Sequence, residues 1–385
     1  MLYHPSIECI LPPYMLKQIV DQGSSEQREW AVLTLRLSDQ IRSQRLALAS
    51  TLMAPEQHVV AGGVKRRTVY DAQQGSTLPG SIVRNEGDLD GSDPAVNEAY
   101  TGAGATYDLY WEIYQRNSID DKGMAIESSV HYQKNYDNAF WNGSQMVYGD
   151  GDSGLTPGQQ LFNRFTISID IIGHELTHGV TQFTANLTYQ DEPGALNESI
   201  SDVFGSLVKQ RQLSQTAAEA DWIIGQGLFT PNVKGVGIRS MKAPGTAYDD
   251  PVLGKDPQPA NMKDYNHLPP TDDSGGVHIN SGIPNFAFYS TALAIGGNAW
   301  EKAGRIWYKT LIEQLKPASN FQDTANLTLT VAGELYGKNS LEQQAVVKGW
   351  AAAGITAAEI DLNPGTNTTG CQNLLRGLFK INAQP

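Results

Sequence analysis

Beyond Asp170 apolar residues return every three or four positions, whereas from Lys65 to Asp152 they alternate in short runs. The first pattern belongs to helices with one buried face, the second to strands with one buried face. Helical spacing predicts segments over residues 197–210, 281–293, 299–313, 321–336 and 340–353. The runs "SSVHYQ" and "SQMVYGDGD", broken by Gly, Asn and Asp, predict antiparallel strands, with one helix over 94–116 among them. Upstream, Trp30, Leu33, Leu37 and Ile41 fall at helical spacing, with Ser24 and Gln27 in capping-box positions, which predicts an amphipathic helix over 24–49. The class is α+β, a strand-rich half followed by a helical half.

Pro55, Gly62 and Gly63 mark residues 54–64 as a linker and a natural place for a nick. Residues 1–60 then form a leader, 61–185 and 186–355 the two main halves, and 356–385, with "NPGTNTTGCQN", a polar tail of unknown role. Within the leader, "CILPPYML" (residues 9–16) is stiff and apolar. Pro12 and Pro13 fix their own φ and bias the preceding residues toward extended backbone, so the stretch reads as a rod that cannot begin inside a helix.

The chain has 385 residues, 40% hydrophobic and 18% charged, with a net charge of −13. It is long enough for a sizeable core, and its acidity argues against nucleic acid or an anionic membrane as partner. No apolar run reaches the roughly 20 residues of a membrane span. The opening is broken by His4, Pro5, Glu8, Pro12 and Pro13, unlike a general secretory signal. A soluble monomer is expected, either cytoplasmic or exported by a non-standard route. Two cysteines, Cys9 and Cys371, at opposite ends cannot form a disulfide framework around the central region.

The strongest chemical signal is His174-Glu175-Leu176-Thr177-His178 on a predicted helix. Residues four apart share a helix face, so both imidazoles can reach one zinc ion while Glu175 serves as general base. By itself the pattern also fits an ordinary helix with two histidines. A catalytic zinc takes a third protein ligand, and Glu198 and Asp202, again four apart, offer a ligand and a carboxylate to support one.

The segment "HELTHGVTQFTANLTYQDEPGALNESISD" (174–202), with "YDNAFWNGSQMVYGDGD" (136–152) and "DDSGGVHINSGIPNFAFY" (272–289), resembles the thermolysin family of neutral zinc metalloendopeptidases. The likeness runs from about residue 70 to 355. It implies a zincin fold with the zinc helix between the halves, one catalytic Zn²⁺ on His174, His178 and Glu198, and Glu175 as base. Asp202 and Asn197 would orient the ligand imidazoles. Tyr189 and His278, the latter held by Asp273, would stabilise the oxyanion. Asn138 and the backbone of Ala139 would pair with an extended peptide or protein substrate, and Arg239 would grip its backbone. Phe162, Phe165, Ile171 and Ile238 would surround a first primed pocket favouring a bulky apolar residue, although any of them could equally be core.

Two departures matter. Where members with a double calcium site carry acidic ligands, Lys209, Ile223 and Gln226 stand here beside Asp170 and Asp221, so no such site is expected. The short leader with its Pro-Pro motif resembles the protealysin subgroup, which implies a propeptide lying in the enzyme's own cleft with Pro12, Pro13 and Tyr14 near the primed pocket. Cys9 as a fourth zinc ligand is a rival to that docking. A non-catalytic zincin and a metal-dependent exopeptidase are the alternative functions; chelator-sensitive casein hydrolysis and cleavage of an end-blocked peptide separate them.

Overall fold

The computed structural model describes residues 8–49 and 62–359, with side chains for 9–40 and 62–359. The expected linker and tail lie for the most part outside the described residues. Strands come first: β1 (Glu8–Cys9), β2 (Arg67–Asp71), β3 (Ser81–Asn85), β4 (Ile126–Val130), β5 (Ala139–Trp141) and β6 (Met146–Tyr148) form one sheet in the order β1-β5-β6-β4-β2-β3. The sheet is mixed rather than antiparallel throughout, because β4 runs parallel to both β2 and β6. A parallel pair needs a long crossover. Between β3 and β4 that crossover contains α3 (Pro94–Asp108), started by Asp93, whose side chain accepts from the N–H of Ala95, and by Pro94 at the first helical position.

The leader begins with the outermost strand of this sheet. β1 pairs antiparallel with β5, Glu8 opposite Trp141 and Cys9 opposite Phe140. The stiff rod is shorter than expected: Pro12 is the N-cap and Pro13 opens α1 (Pro13–Gln22). Proline is well placed there, since its fixed φ suits a helix start and its missing N–H is not needed. Helix α2 (Ser25–Ala49) follows the predicted capping box, in which the Ser24 N–H donates to Gln27 Oε1 at 2.7 Å and the Gln27 N–H to Ser24 Oγ at 3.3 Å. Its buried line, however, is Gln27, Ala31, Thr34 and Ser38, while Trp30, Leu33 and Leu37 flank it half-buried. The centre of the contact is thus small and polar, with Leu35 and Leu37 packing at its flanks, which hydrophobic spacing alone does not reveal.

After the sheet the chain is helical: α4 (Ile169–Gln182), α5 (Asp191–Gln212), short strands β7 (Ile223–Ile224) and β8 (Arg239–Ser240), then α6 (Asp273–Asn280), α7 (Gly282–Ile295), α8 (Ala303–Lys309), α9 (Phe321–Tyr336) and α10 (Leu341–Ala352). Helices α4 and α5 cross at Gly173 and Gly205, where a Cβ on Gly205 would sit 2.4 Å from the Asp170 carbonyl oxygen. This close approach brings the two faces that carry the metal-ligand candidates together.

His131, at the end of β4, is clamped between two elements: its Nε2 lies 2.8 Å from Asp93 and its Nδ1 2.8 Å from Asp150. Hydrogen bonding to Asp150 and Asp93 outweighs burial and raises its pKa to about 9. A raised pKa contributes stability fully below the unfolded value near 6.5 and loses it as pH climbs through 9. His131→Asn should therefore lower Tm at pH 6, by the equivalent of about 1 kcal/mol after solvent screening, with the deficit shrinking toward pH 9.5. A deficit independent of pH in melting curves would contradict the clamp.

Candidate metal centre and cleft

Helix α4 places His174, Glu175 and His178 on one buried face, and α5 turns Glu198 toward them. The three candidate ligands lie within 4.8 Å of one another and are fully buried. His174 Nε2 and His178 Nε2 stand 3.0 Å apart, and each is 3.5 Å from a Glu198 oxygen. Both Nδ1 atoms are committed elsewhere, His174 to Asp202 at 2.8 Å and His178 to Asn197 at 2.9 Å and Ser201 at 3.0 Å. With Nδ1–H donating to these oxygens, the two Nε2 lone pairs face each other, an arrangement that repels unless a cation lies between them. Two nitrogens on a tetrahedral zinc would be about 3.3 Å apart, so the donor set fits the metal. Glu198 Oε2, buried and without a hydrogen-bond partner among the described residues, points the same way.

Supporting groups surround this cluster. Glu175 Oε2 accepts from the N–H of Trp141 at 3.0 Å, which ties it to the edge strand β5. The Asp202 carboxylate receives His174 Nδ1, Arg239 Nε at 2.8 Å and Nη2 at 2.7 Å, and Asn285 Nδ2 at 2.8 Å. Burial alone would raise its pKa, but the Arg239 charge and the His174 contact hold it well below the usual carboxylate range. Tyr189 donates to Glu198 Oε1 and lies 3.2 Å from His278 Nε2. His278 Nδ1 is 2.5 Å from Asp273 Oδ1, on a backbone that runs left-handed through Asp273, Ser274, Gly275 and Gly276.

The leader strand crosses this site. The Cys9 carbonyl oxygen lies 3.0 Å from His278 Nε2, and the Ile10 N–H donates to the Ala139 carbonyl at 3.2 Å. Arg239 Nη1 donates to the Ile10 carbonyl at 3.2 Å, and the Leu11 N–H to Asn138 Oδ1 at 2.9 Å. His278 faces oxygen acceptors with both ring nitrogens and so carries both protons; burial would lower its pKa, yet Asp273 and Glu198 raise it to about 8. Residues 9–11, rather than Pro12, Pro13 and Tyr14, make these bonds; the latter three start α1, and burial pushes the Tyr14 phenol up. The Cys9 side chain packs with Ala72, Tyr132, Tyr136, Phe140 and Val147, away from the ligand group, which removes the thiolate reading. Phe162, Phe165, Ile171 and Ile238 are fully buried in the same core that Ile10 and Leu11 join.

Ser201, Asn285 and the Trp141 N–H were not legible in the sequence. Asn285 is a lone amide 83 residues from its partner Asp202, and only the placement of α7 brings them together. Lys209, on α5, is sealed between α4 and the segment around β7, its Nζ 2.9 Å from both Asp170 and Asp221 and 2.5 Å from the Ile223 carbonyl. Among the described residues no helix is long and apolar enough to cross a membrane.

Comparison with known proteins gives this geometry a family. Residues 50–182 match the profile "Thermolysin metallopeptidase, catalytic domain", and 185–355 match "Thermolysin metallopeptidase, alpha-helical domain". Protease PrtS of Photorhabdus sp. (strain Az29) is 46% identical over 353 residues, covering 91% of this chain and 93% of that protein. An extracellular metalloprotease of Pectobacterium carotovorum subsp. carotovorum is 47% identical over 348 residues, 90% of this chain and 96% of that one. A thermolysin of Alicyclobacillus acidocaldarius subsp. acidocaldarius is 40% identical over 296 residues, 74% of this chain but 50% of its own length. The solved precursor of protealysin, a metalloproteinase from Serratia proteamaculans, shares 49% identity and a TM-score of 0.80, covering 91% of this chain and 100% of that one. The chain belongs to the thermolysin metallopeptidase family and is a zinc metalloendopeptidase, and its structure matches that precursor along nearly its whole length.

Asn285 yields a direct prediction. Asn285→Ala removes one of two donors to Asp202 Oδ2 and loosens the carboxylate that orients His174. Zinc affinity in competition with a chelator should fall about 10- to 100-fold. Unchanged zinc affinity would show that Arg239 alone fixes Asp202.

Proposed function

We propose that the chain is a self-inhibited precursor whose residues 8–11 occupy the cleft in the manner of a substrate, and that the mature enzyme cuts internal peptide bonds before a bulky apolar residue. One observation carries the reading: a single extended strand is hydrogen-bonded at successive positions to His278, Ala139, Arg239 and Asn138. Main-chain bonds of this kind select an extended peptide without reading its sequence. In the same reading the Cys9–Ile10 bond lies where a scissile bond would, and Ile10, on the primed side and fully buried, stands for the preferred residue.

His174, His178 and Glu198 would hold the zinc ion, which when bound would supply Lewis acidity to the substrate carbonyl and to water. The chain's own groups do the rest. Glu175, fixed by the Trp141 N–H, takes a proton from the attacking water and returns it to the leaving amine. His278 and Tyr189 donate to the oxygen on which negative charge develops, and Asp273 keeps the imidazole turned toward it. Arg239 and Asn138 hold the substrate in register.

No double calcium site is expected. The Lys209 ammonium lies between the carboxylates of Asp170 and Asp221, and a divalent cation brought there would be repelled by it.

Four outcomes are expected. Glu175→Gln should keep zinc and lose nearly all peptidase activity, while His278→Ala should lower kcat about 10²- to 10³-fold with zinc retained; zinc lost with activity would refute the assigned roles. Ile10→Asp should raise hydrolysis of an end-blocked quenched peptide by the uncut precursor, since a carboxylate is costly in that dry position. An equally silent Ile10→Asp precursor would place the block elsewhere. Millimolar calcium should leave the melting curve in place, where a specific ion at 100 times its Kd would add about 2.7 kcal/mol.

A further inference from the structure

Helix α2 roofs a carboxyl group that the peptidase chemistry does not use. Asp137 is 4% exposed, and its N–H donates to Thr34 Oγ1 of α2 at 3.1 Å. Around it α2 is fastened at several points. Ser38 Oγ lies 3.3 Å from the Tyr136 hydroxyl, Gln27 Nε2 donates to the Gln159 carbonyl at 2.7 Å, and Leu37 packs on the cluster of Tyr132, Tyr136 and Phe140. Trp30 covers Gly154 so closely that a Cβ there would lie 2.8 Å from its ring.

Beneath this roof Asp137 Oδ1 has no hydrogen-bond partner. Its charged neighbour is Asp152, whose two oxygens accept from the N–H groups of Leu161 at 2.6 Å and Phe162 at 3.0 Å. Among the described residues no lysine, arginine or histidine pairs with either carboxyl. The charged residues of α2 up to position 40, namely Glu26, Arg28, Glu29, Arg36 and Asp39, are exposed on its other faces. From the body, Tyr132 and Tyr136 face the same cluster, and burial keeps both phenols neutral. Two carboxylates sealed together without a cation cannot both be ionised. Asp152 is the better anion because backbone donors already hold both its oxygens, so the retained proton resides on Asp137.

We propose that Asp137 is a proton-held latch for the prosegment: lifting α2 admits water, the Asp137 O–H bond breaks with its proton passing to water, and the exposed carboxylate resists re-closure. The latch rests on the reading of residues 8–49 as a releasable prosegment. Burial, with the Asp152 charge adding to it, raises the Asp137 pKa in the closed state well above the ordinary carboxyl value, while Asp152 is itself raised to about 6. The sign follows from linkage: closure binds a proton that opening releases, so the prosegment holds most tightly below the exposed carboxyl's pKa near 4 and loosens as pH rises through the window above it. One proton per opening corresponds to about tenfold per pH unit within that window. Asp137 lies next to Asn138 and Ala139, which grip the inhibitory strand, so loosening α2 also frees the anchor of that strand.

The test uses the full chain carrying Glu175→Gln to prevent self-cutting. Hydrogen exchange of residues 25–40, corrected for intrinsic rates, is followed from pH 6.5 to 8.5, above the range in which Asp152 takes up its own proton, with and without Asp137→Asn. The opening constant should rise about tenfold per pH unit over part of this range with Asp137, and stay within about twofold throughout with the neutral isostere. Asp137→Ser serves if the amide variant does not fold. An equal pH slope in parent and variant, or none in either, overturns the latch. In parallel, the Glu175 parent is assayed on an end-blocked peptide before and after loss of the prosegment. Full activity before loss would sink the inhibitory reading while leaving an observed latch intact, whereas inhibition without a slope sinks the latch alone.

Discussion

The carboxylate of Asp202 is the group on which the working geometry depends. Fully buried, it accepts from His174 on α4, twice from Arg239 on β8, and from Asn285 on α7, while itself belonging to α5. A buried carboxylate is costly unless every lone pair is met, and here donors from three other elements meet them. Those elements are thereby fixed around one point. Arg239 also reaches the Ile10 carbonyl, so the carboxylate that holds the His174 imidazole is one residue away from the leader strand.

The leader uses two kinds of contact that differ in permanence. Its strand completes the edge of the sheet, satisfying donors and acceptors of β5 that would otherwise be left unpaired. Its long helix rests on Gln27, Ala31, Thr34 and Ser38, a line of small and polar groups. Such an underside buries less apolar area than a leucine stripe, and its hydrogen bonds can be exchanged for water when it leaves.

Much of this was legible along the chain. The helix over Phe321–Tyr336 falls where its spacing put it, closed by an Asn320–Asp323 capping box, and the capping box at Ser24 and Gln27 forms as read. The shared face of His174 and His178, and that of Glu198 and Asp202, came from local spacing on two helices, which the backbone repeat converts into geometry; choosing Glu198 as the third candidate ligand needed the family resemblance. The parallel pairings of β4 were not legible, since alternation gives the faces of a strand and not the direction of its neighbour. Nor was the buried line of α2, because polar side chains at an interface carry no hydrophobic signature.

Local pattern therefore determined the class, most helices, the shared face of His174 and His178 and the presence of a proline-bearing leader, all of which depend on neighbours within a turn or two. Tertiary structure alone decided that Cys9, Ile10 and Leu11 make the cleft contacts, that Cys9 turns into an aromatic cluster, and that Asn285 meets Asp202. It also decided that Asp137 is sealed beside Asp152. These are meetings of residues far apart in sequence, and their energies come from burial and from hydrogen bonds closed only when distant elements pack; no periodicity within one segment can encode them.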